Sequence, residues 1–194
     1  MKKLFYIFLI AFLFNTPKAN SNCNFKEANY IKELSTPNKI KGINIKIPKS
    51  RDYTINFVRS LTSKSKNIPP NLRKKFNANL EVNYEFGRCE YKAKIWQNGD
   101  WKDHLEFKNG MPLRSLNVKL KNGNILNAVK FKLFLPKTRN GDNEILGTII
   151  SRKLGIITPE TFEVAVNVNN ISSLMIFQED SRKEMLERNG RREG

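Results

Sequence analysis

The sequence has one histidine, His104, and two cysteines, Cys23 and Cys89. With so few nitrogen and sulfur ligands, no zinc-type ligand spacing can be drawn, and no metal ligand is assigned. A Ser-His-Asp device would have to use His104, which falls among alternating strand residues beside Leu105, where a surface or packing histidine is ordinary. Also missing are the glycine-rich loops of P-loop and dinucleotide-binding proteins, the Gly-x-Ser-x-Gly elbow and the His-Glu-x-x-His pair. Carboxylates number 18 against 35 Lys and Arg, and no local pattern selects two of them as a glycosidase pair. No internal repeat or low-complexity tract occurs.

Long apolar runs are absent too. Leu4 to Phe14 spans 11 residues, too few to cross a bilayer as a stable helix. It follows the positive Met1-Lys2-Lys3 and precedes small residues at Ala19-Asn20-Ser21, the form of a secretory signal peptide over residues 1–21. Cys23 lacks the small-residue lipobox of a lipoprotein. The sequence therefore predicts export to the cell envelope, periplasm or medium without a lipid, and no transmembrane span after cleavage. In an oxidising compartment Cys23 and Cys89 can pair, tying the new N-terminus to the sheet, or remain two unrelated thiols.

The net charge is +17, and it stays strongly positive after Lys2, Lys3 and Lys18 leave with the signal. Such a field attracts nucleic acid, anionic lipid or polyanionic cell-wall polymers. The lysines are spread along the chain among many Asn and Ile, as a compositional habit of the source genome would also leave them. An exported protein seldom meets nucleic acid, so that partner is disfavoured.

The chain divides into the signal, an N-terminal segment 22–71 with short strands, and a β-rich domain 72–194. The segment 22–71 carries a short helix over Phe25 to Leu34, Ile43, Ile45 and Ile47 in strand alternation, a strand over Tyr53 to Val58, and a Pro-containing loop, Thr62 to Asn71. The domain opens with Leu80, Val82, Tyr84 and Phe86 in strand alternation. Tyr91 to Trp96 is followed by an Asn98-Gly99 turn into Trp101 to Phe107; Leu116, Val118 and Leu120 lead to an Asn122-Gly123 turn and to Ile125 to Leu135. Ile145, Leu146, Ile149, Ile150 and Leu154 make one apolar stripe on a helix capped by Asp142 and stopped by Gly155 and Pro159. Phe162 to Val168, an Asn169-Asn170 turn and Leu174 to Phe177 form a hairpin. Ser181 and Glu184 have the form of a capping box for a helix over Arg182 to Asn189. The expected fold is α+β: an antiparallel meander, one helix packed on it, and a hairpin.

The stretch from Asp142 to Asn170 resembles a segment of the CotH-type spore-coat kinase family. That segment carries an Arg-Glu-x-Leu helix, a Leu-Gly helix end, a following Pro and an Asn-Gly hairpin. Glu144, Leu146, Arg152, Leu154, Gly155, Pro159, Val168 and Asn169 match, and Glu179 falls where the family places a Glu after the returning strand. Asn143 and Asn170 depart from its Arg and Gly. Trp96 to Trp101, WQNGDW, is similar to the family's Arg-Gly-Asn-Ser-x-Trp at Asn98 and Trp101 but lacks its Arg and Gly. Arg114-Ser115-Leu116 resembles its Lys-Lys-Ser-Phe.

The resemblance implies the N-terminal lobe of an atypical protein-kinase-like fold holding ATP and Mg2+. On that reading Lys130 or Lys132 lies on the phosphates, Glu144 orients it and Glu179 lies nearby. The aspartates of a second lobe are not found. No catalytic residue is therefore assigned, and the chain reads as a fragment or remnant whose partner is a missing C-terminal lobe and which does not transfer phosphate alone. The residues by themselves favour two solvated lysines and a Glu at the positive end of a helix dipole, and only the resemblance raises the nucleotide reading to the same level. The alternative reading is a non-enzymatic envelope or surface protein binding anionic polymers through a basic face.

Overall fold

The computed structural model describes residues 22–25 and 37–192. The signal peptide expected over residues 1–21 and the helix expected over residues 25–34 lie outside them, apart from Phe25. The described chain forms β1 (Asn22–Phe25), β2 (Ile40–Lys46), α1 (Ser50–Thr62), β3 (Phe76–Tyr84), β4 (Gly87–Gln97), β5 (Leu105–Lys108), β6 (Met111–Arg114), β7 (Leu116–Leu120), β8 (Lys130–Phe134), α2 (Asn143–Lys153), β9 (Thr161–Val168), β10 (Ile171–Glu179) and α3 (Lys183–Arg188).

Seven strands close on themselves in the order β4-β3-β2-β9-β10-β8-β7, and β7 returns to pair with β4. All of these pairings are antiparallel except β2 with β9. β4 is long enough to serve two neighbours: Gly87 to Glu90 hold β1, and Ala93 to Gln97 hold β7. Period-two alternation fills the barrel. Ile43, Leu80, Ile95, Val118, Phe131 and Phe177 are all buried inside it, each contributing about 1.5–3 kcal/mol by transfer from water. Phe177 stacks between Phe131 and Phe162 at centroid distances of 4.6 and 4.8 Å.

This mostly β, closed barrel corrects the α+β expectation and its likeness to a kinase N-terminal lobe. Two physical reasons account for the difference. Closure depends on the β2–β9 and β4–β7 pairings, which join distant segments and leave no trace in local periodicity. Segment 22–71 supplies β2 to the middle of the wall. In the same segment, Tyr53 to Val58 lies within α1 and is not a strand. The buried positions of α1 are Tyr53, Asn56, Phe57 and Ser60, a helical stripe in which Asn and Ser hide the period from an apolar count.

The second reason is α2, which docks inside out. None of its residues is fully buried. Glu144, Thr148 and Arg152, four residues apart in turn, make the contacts that hold it. Gln178 Nε2 donates to Glu144 Oε1 at 2.5 Å, Arg152 Nε to Thr158 Oγ1 at 3.3 Å, and Arg152 Nη2 to Pro159 O at 3.2 Å. Of the apolar stripe, Ile145 is half-buried and Leu146, Ile149, Ile150 and Leu154 are exposed. The helix end is the one expected: Gly155 has φ +79°, and Ile156 N donates to Ser151 O at 3.0 Å. α3 forms over Lys183–Arg188, but without a side-chain cap bond.

Cys23 and Cys89 stand opposite each other in the β1–β4 ladder and are joined by a disulfide. Closing a loop between residues 66 apart constrains the unfolded chain by about 4 kcal/mol in the chain-entropy model. Reduction, or Cys89→Ser, is expected to lower the unfolding free energy by about 2–4 kcal/mol in urea titrations.

Candidate functional site: a lysine face on the barrel wall

Alternation sends every second residue of β4, β7 and β8 outward. Lys92, Lys94 and Trp96 leave β4, Asn117 and Lys119 leave β7, and Lys130 and Lys132 leave β8. The register places Lys94 directly opposite Lys119, and Lys119 directly opposite Lys130. One step along, Trp96, Asn117 and Lys132 form the next row. Lys75 Nζ and Lys130 Nζ lie 5.3 and 5.7 Å from the Trp96 ring centroid, within cation–π range.

Like charges directly opposite on neighbouring strands destabilise a sheet. Among the described residues Lys92, Lys94 and Lys119 take part in no ion pair. The acid bordering the row is Asp180, whose carboxylate lies 2.7 Å from Lys130 Nζ, 3.5 Å from Lys132 Nζ and 2.9 Å from Arg182 Nε. Partial burial would raise the Asp180 pKa, but the hydrogen bonds from Lys130 and Arg182 and the nearby lysine charges outweigh it and hold the group below its ordinary range. The neighbouring end of β3 and β4 differs: there Glu81 pairs with Arg88, and Glu85 with Lys39 and Lys41. A cavity of about 1350 Å³ opens beside the lysine face, with Lys92, Asn122, Asn79, Lys46 and the carboxylates Glu81 and Glu90 among its lining.

The residues expected at a nucleotide site divide between two surfaces. Lys130 and Lys132 engage Asp180, while Glu144 engages Gln178 and lies 3.8 Å from Arg139 Nε. Gln178 stands opposite Lys132 in the β8–β10 ladder, so Lys132 and Glu144 share a neighbour. Glu179 stands opposite Phe131, on the inward side, and is 2% exposed. Its Oε2 accepts from Glu160 N at 3.1 Å and pairs with Arg188 at 2.8 Å, while Oε1 has no partner. Burial pushes its pKa up, more than the Glu160 N–H and Arg188 pull it down. Glu179 therefore anchors α3 and is not accessible from the lysine face.

The WQNGDW and Arg114-Ser115-Leu116 stretches are brought together. Asn98 N donates to Ser115 O at 2.9 Å, Ser115 N to His104 O at 3.0 Å, and Leu135 N to Ser115 Oγ at 3.0 Å. Gly99 has φ +74°, and a Cβ there would collide with the His104 ring. Gly99→Ala combines a left-handed backbone with that clash and is expected to cost about 2–3 kcal/mol in thermal or urea unfolding. The His104 pKa is lowered chiefly by burial, consistent with a packed ring.

Lys94, Lys119 and Trp96 were legible as outward strand positions; their convergence depends on the β4–β7 pairing. Among the described residues no group of three or more His, Cys, Asp or Glu side chains could hold a metal ion, and no helix is long and apolar enough to cross a membrane. No protein-family model matches the chain, and no curated protein matches it.

Proposed function

We propose that this chain is an exported, non-enzymatic barrel protein that binds an anionic polymer, such as a cell-wall polysaccharide, through the lysine face. The observation that carries the reading is the row of Lys94, Lys119 and Lys130, held directly opposite one another across three adjacent strands. A wall selected only for stability would alternate signs there, and the row gains from a ligand whose repeated negative charges lie along it. The Cys23–Cys89 disulfide accords with an oxidising compartment.

A second reading, a nucleotide site of the CotH-like kind, is favoured by one observation: Gln178 links Glu144 to the strand position of Lys132. In that reading Lys130 or Lys132 exchanges Asp180 for a phosphate, Mg2+ accompanies ATP, and phosphate transfer awaits a further lobe. One pair of experiments separates the two. Salt-sensitive retention on an immobilised anionic polymer, with no effect of ATP on thermal unfolding, supports the first. ATP-induced stabilisation that disappears in Glu144→Ala, with no polymer retention, replaces it with the second.

A further inference from the structure

Leu146, Ile149, Ile150 and Leu154 lie at helical spacing on the outer side of α2, and Ile156 follows its cap. Their exposures run from 44% at Ile149 to 72% at Leu154. An eleven-residue helix ordinarily turns such a stripe to the core; here Glu144, Thr148 and Arg152 face the barrel instead. We propose that this stripe is a docking surface for an anionic lipid bilayer, with the aliphatic side chains entering the interface and the flanking cations meeting headgroups.

Charge complementarity selects the occupant. Lys153 lies on the same helix, exposed and without an ion pair among the described residues. Glu160 pairs with Arg152 of α2 at 3.4 Å and with Arg188 of α3 at 3.7 Å. That shared carboxylate ties Arg188 near the C-terminal end of α2, and Lys183, Arg191 and Arg192 of the same C-terminal segment are exposed. An exposed apolar strip with Arg152 and Lys153 on its own helix has the form of an interfacial helix, where burial of aliphatic groups and attraction to anionic lipid add. A second copy fits less well, since it would bring these cations together. Five half-exposed aliphatic side chains amount to roughly a few hundred Å², short of the ~800 Å² per partner of a standard interface. A soluble polyanion would use the cations and leave the stripe in water.

The test is co-sedimentation of the full chain with vesicles of equimolar phosphatidylglycerol and phosphatidylcholine, against vesicles of phosphatidylcholine alone. The expected result is binding to the anionic vesicles at least tenfold tighter than to the neutral ones. The combined variant Leu146→Ser, Ile150→Ser, Leu154→Ser should bind about tenfold more weakly with an unchanged unfolding midpoint, because all three side chains are exposed. Vesicle binding unaltered by the triple substitution, or equal binding to neutral vesicles, overturns the proposal. So does a dimer in solution that the triple substitution dissolves without any vesicle binding, since the occupant is then a second copy.

Discussion

Arg114→Ala is expected to lower the unfolding free energy by about 4 kcal/mol. Arg114 is 1% exposed, and its guanidinium lies 4.3 Å from the Tyr53 ring and 5.2 Å from the Phe57 ring of α1. It donates to Asn56 Oδ1 at 3.1 Å and to Tyr53 O at 3.0 Å. Truncation removes the packing of a long buried side chain and leaves two acceptors unsatisfied beneath the helix. No carboxylate forms an ion pair with it among the described residues, and burial depresses its pKa, with Tyr53 opposing. The charge is therefore retained at a cost, and the rings supply part of the compensation. Arg114→Met keeps the packing of the stem and removes the buried charge but still leaves the two acceptors without their donor, so a loss of about 2 kcal/mol is expected. Arg114→Lys keeps a charge that can neither stack flat nor fork to both acceptors, and should fall between the two. Urea unfolding of the three variants gives the order directly.

Lys119→Glu is expected to move stability and binding in opposite directions. Lys119 stands between Lys94 and Lys130, so the substitution turns two like-charge cross-strand pairs into two opposite-charge pairs. At about 0.2–1 kcal/mol per pair, stability should rise by about 1 kcal/mol, which raises the thermal midpoint by about 2–4 °C in a chain of this size. Affinity for an anionic polymer should fall about tenfold at low salt, because one released counterion is lost and a repulsive charge enters the row. If the lysines were a solvated face without a ligand, only the gain in stability would be seen.

Local structure was legible where the signal was local. The α2 span matches the Asp142-to-Gly155 punctuation, although the Asp142 side chain makes no cap hydrogen bond, and the β9–β10 turn follows from Asn169 and Asn170, whose φ values are 47° and 72°. β3, β7 and β8 were visible as period-two runs. What was not legible was which side of an element faces inward when polar contacts decide it. The aliphatic stripe of α2 points to a packed helix, yet Arg152 docks it through Thr158 and Glu160, which follow the helix closely, and Glu144 docks it through Gln178 of β10, which is distant in sequence. The candidate site shows the same limit. Lys130 and Lys132 were singled out from a resemblance, while Lys119 comes opposite Lys130 through the β7–β8 ladder and Lys94, some 25 residues before Lys119 in sequence, joins the row only through the β4–β7 ladder. The resemblance also grouped Glu144 with Glu179, but a one-residue offset on β10 sends Gln178 outward and Glu179 into the barrel.

The affinity of the full chain for a soluble acidic polysaccharide such as polygalacturonate, measured across a range of salt concentrations, tests the account most directly. Engagement of the lysine row predicts that the logarithm of the affinity falls linearly with the logarithm of salt, with a slope of about −3 or steeper that becomes shallower by about one in Lys119→Glu. No measurable binding at low salt, or binding whose salt slope is the same with and without Lys119, would contradict it.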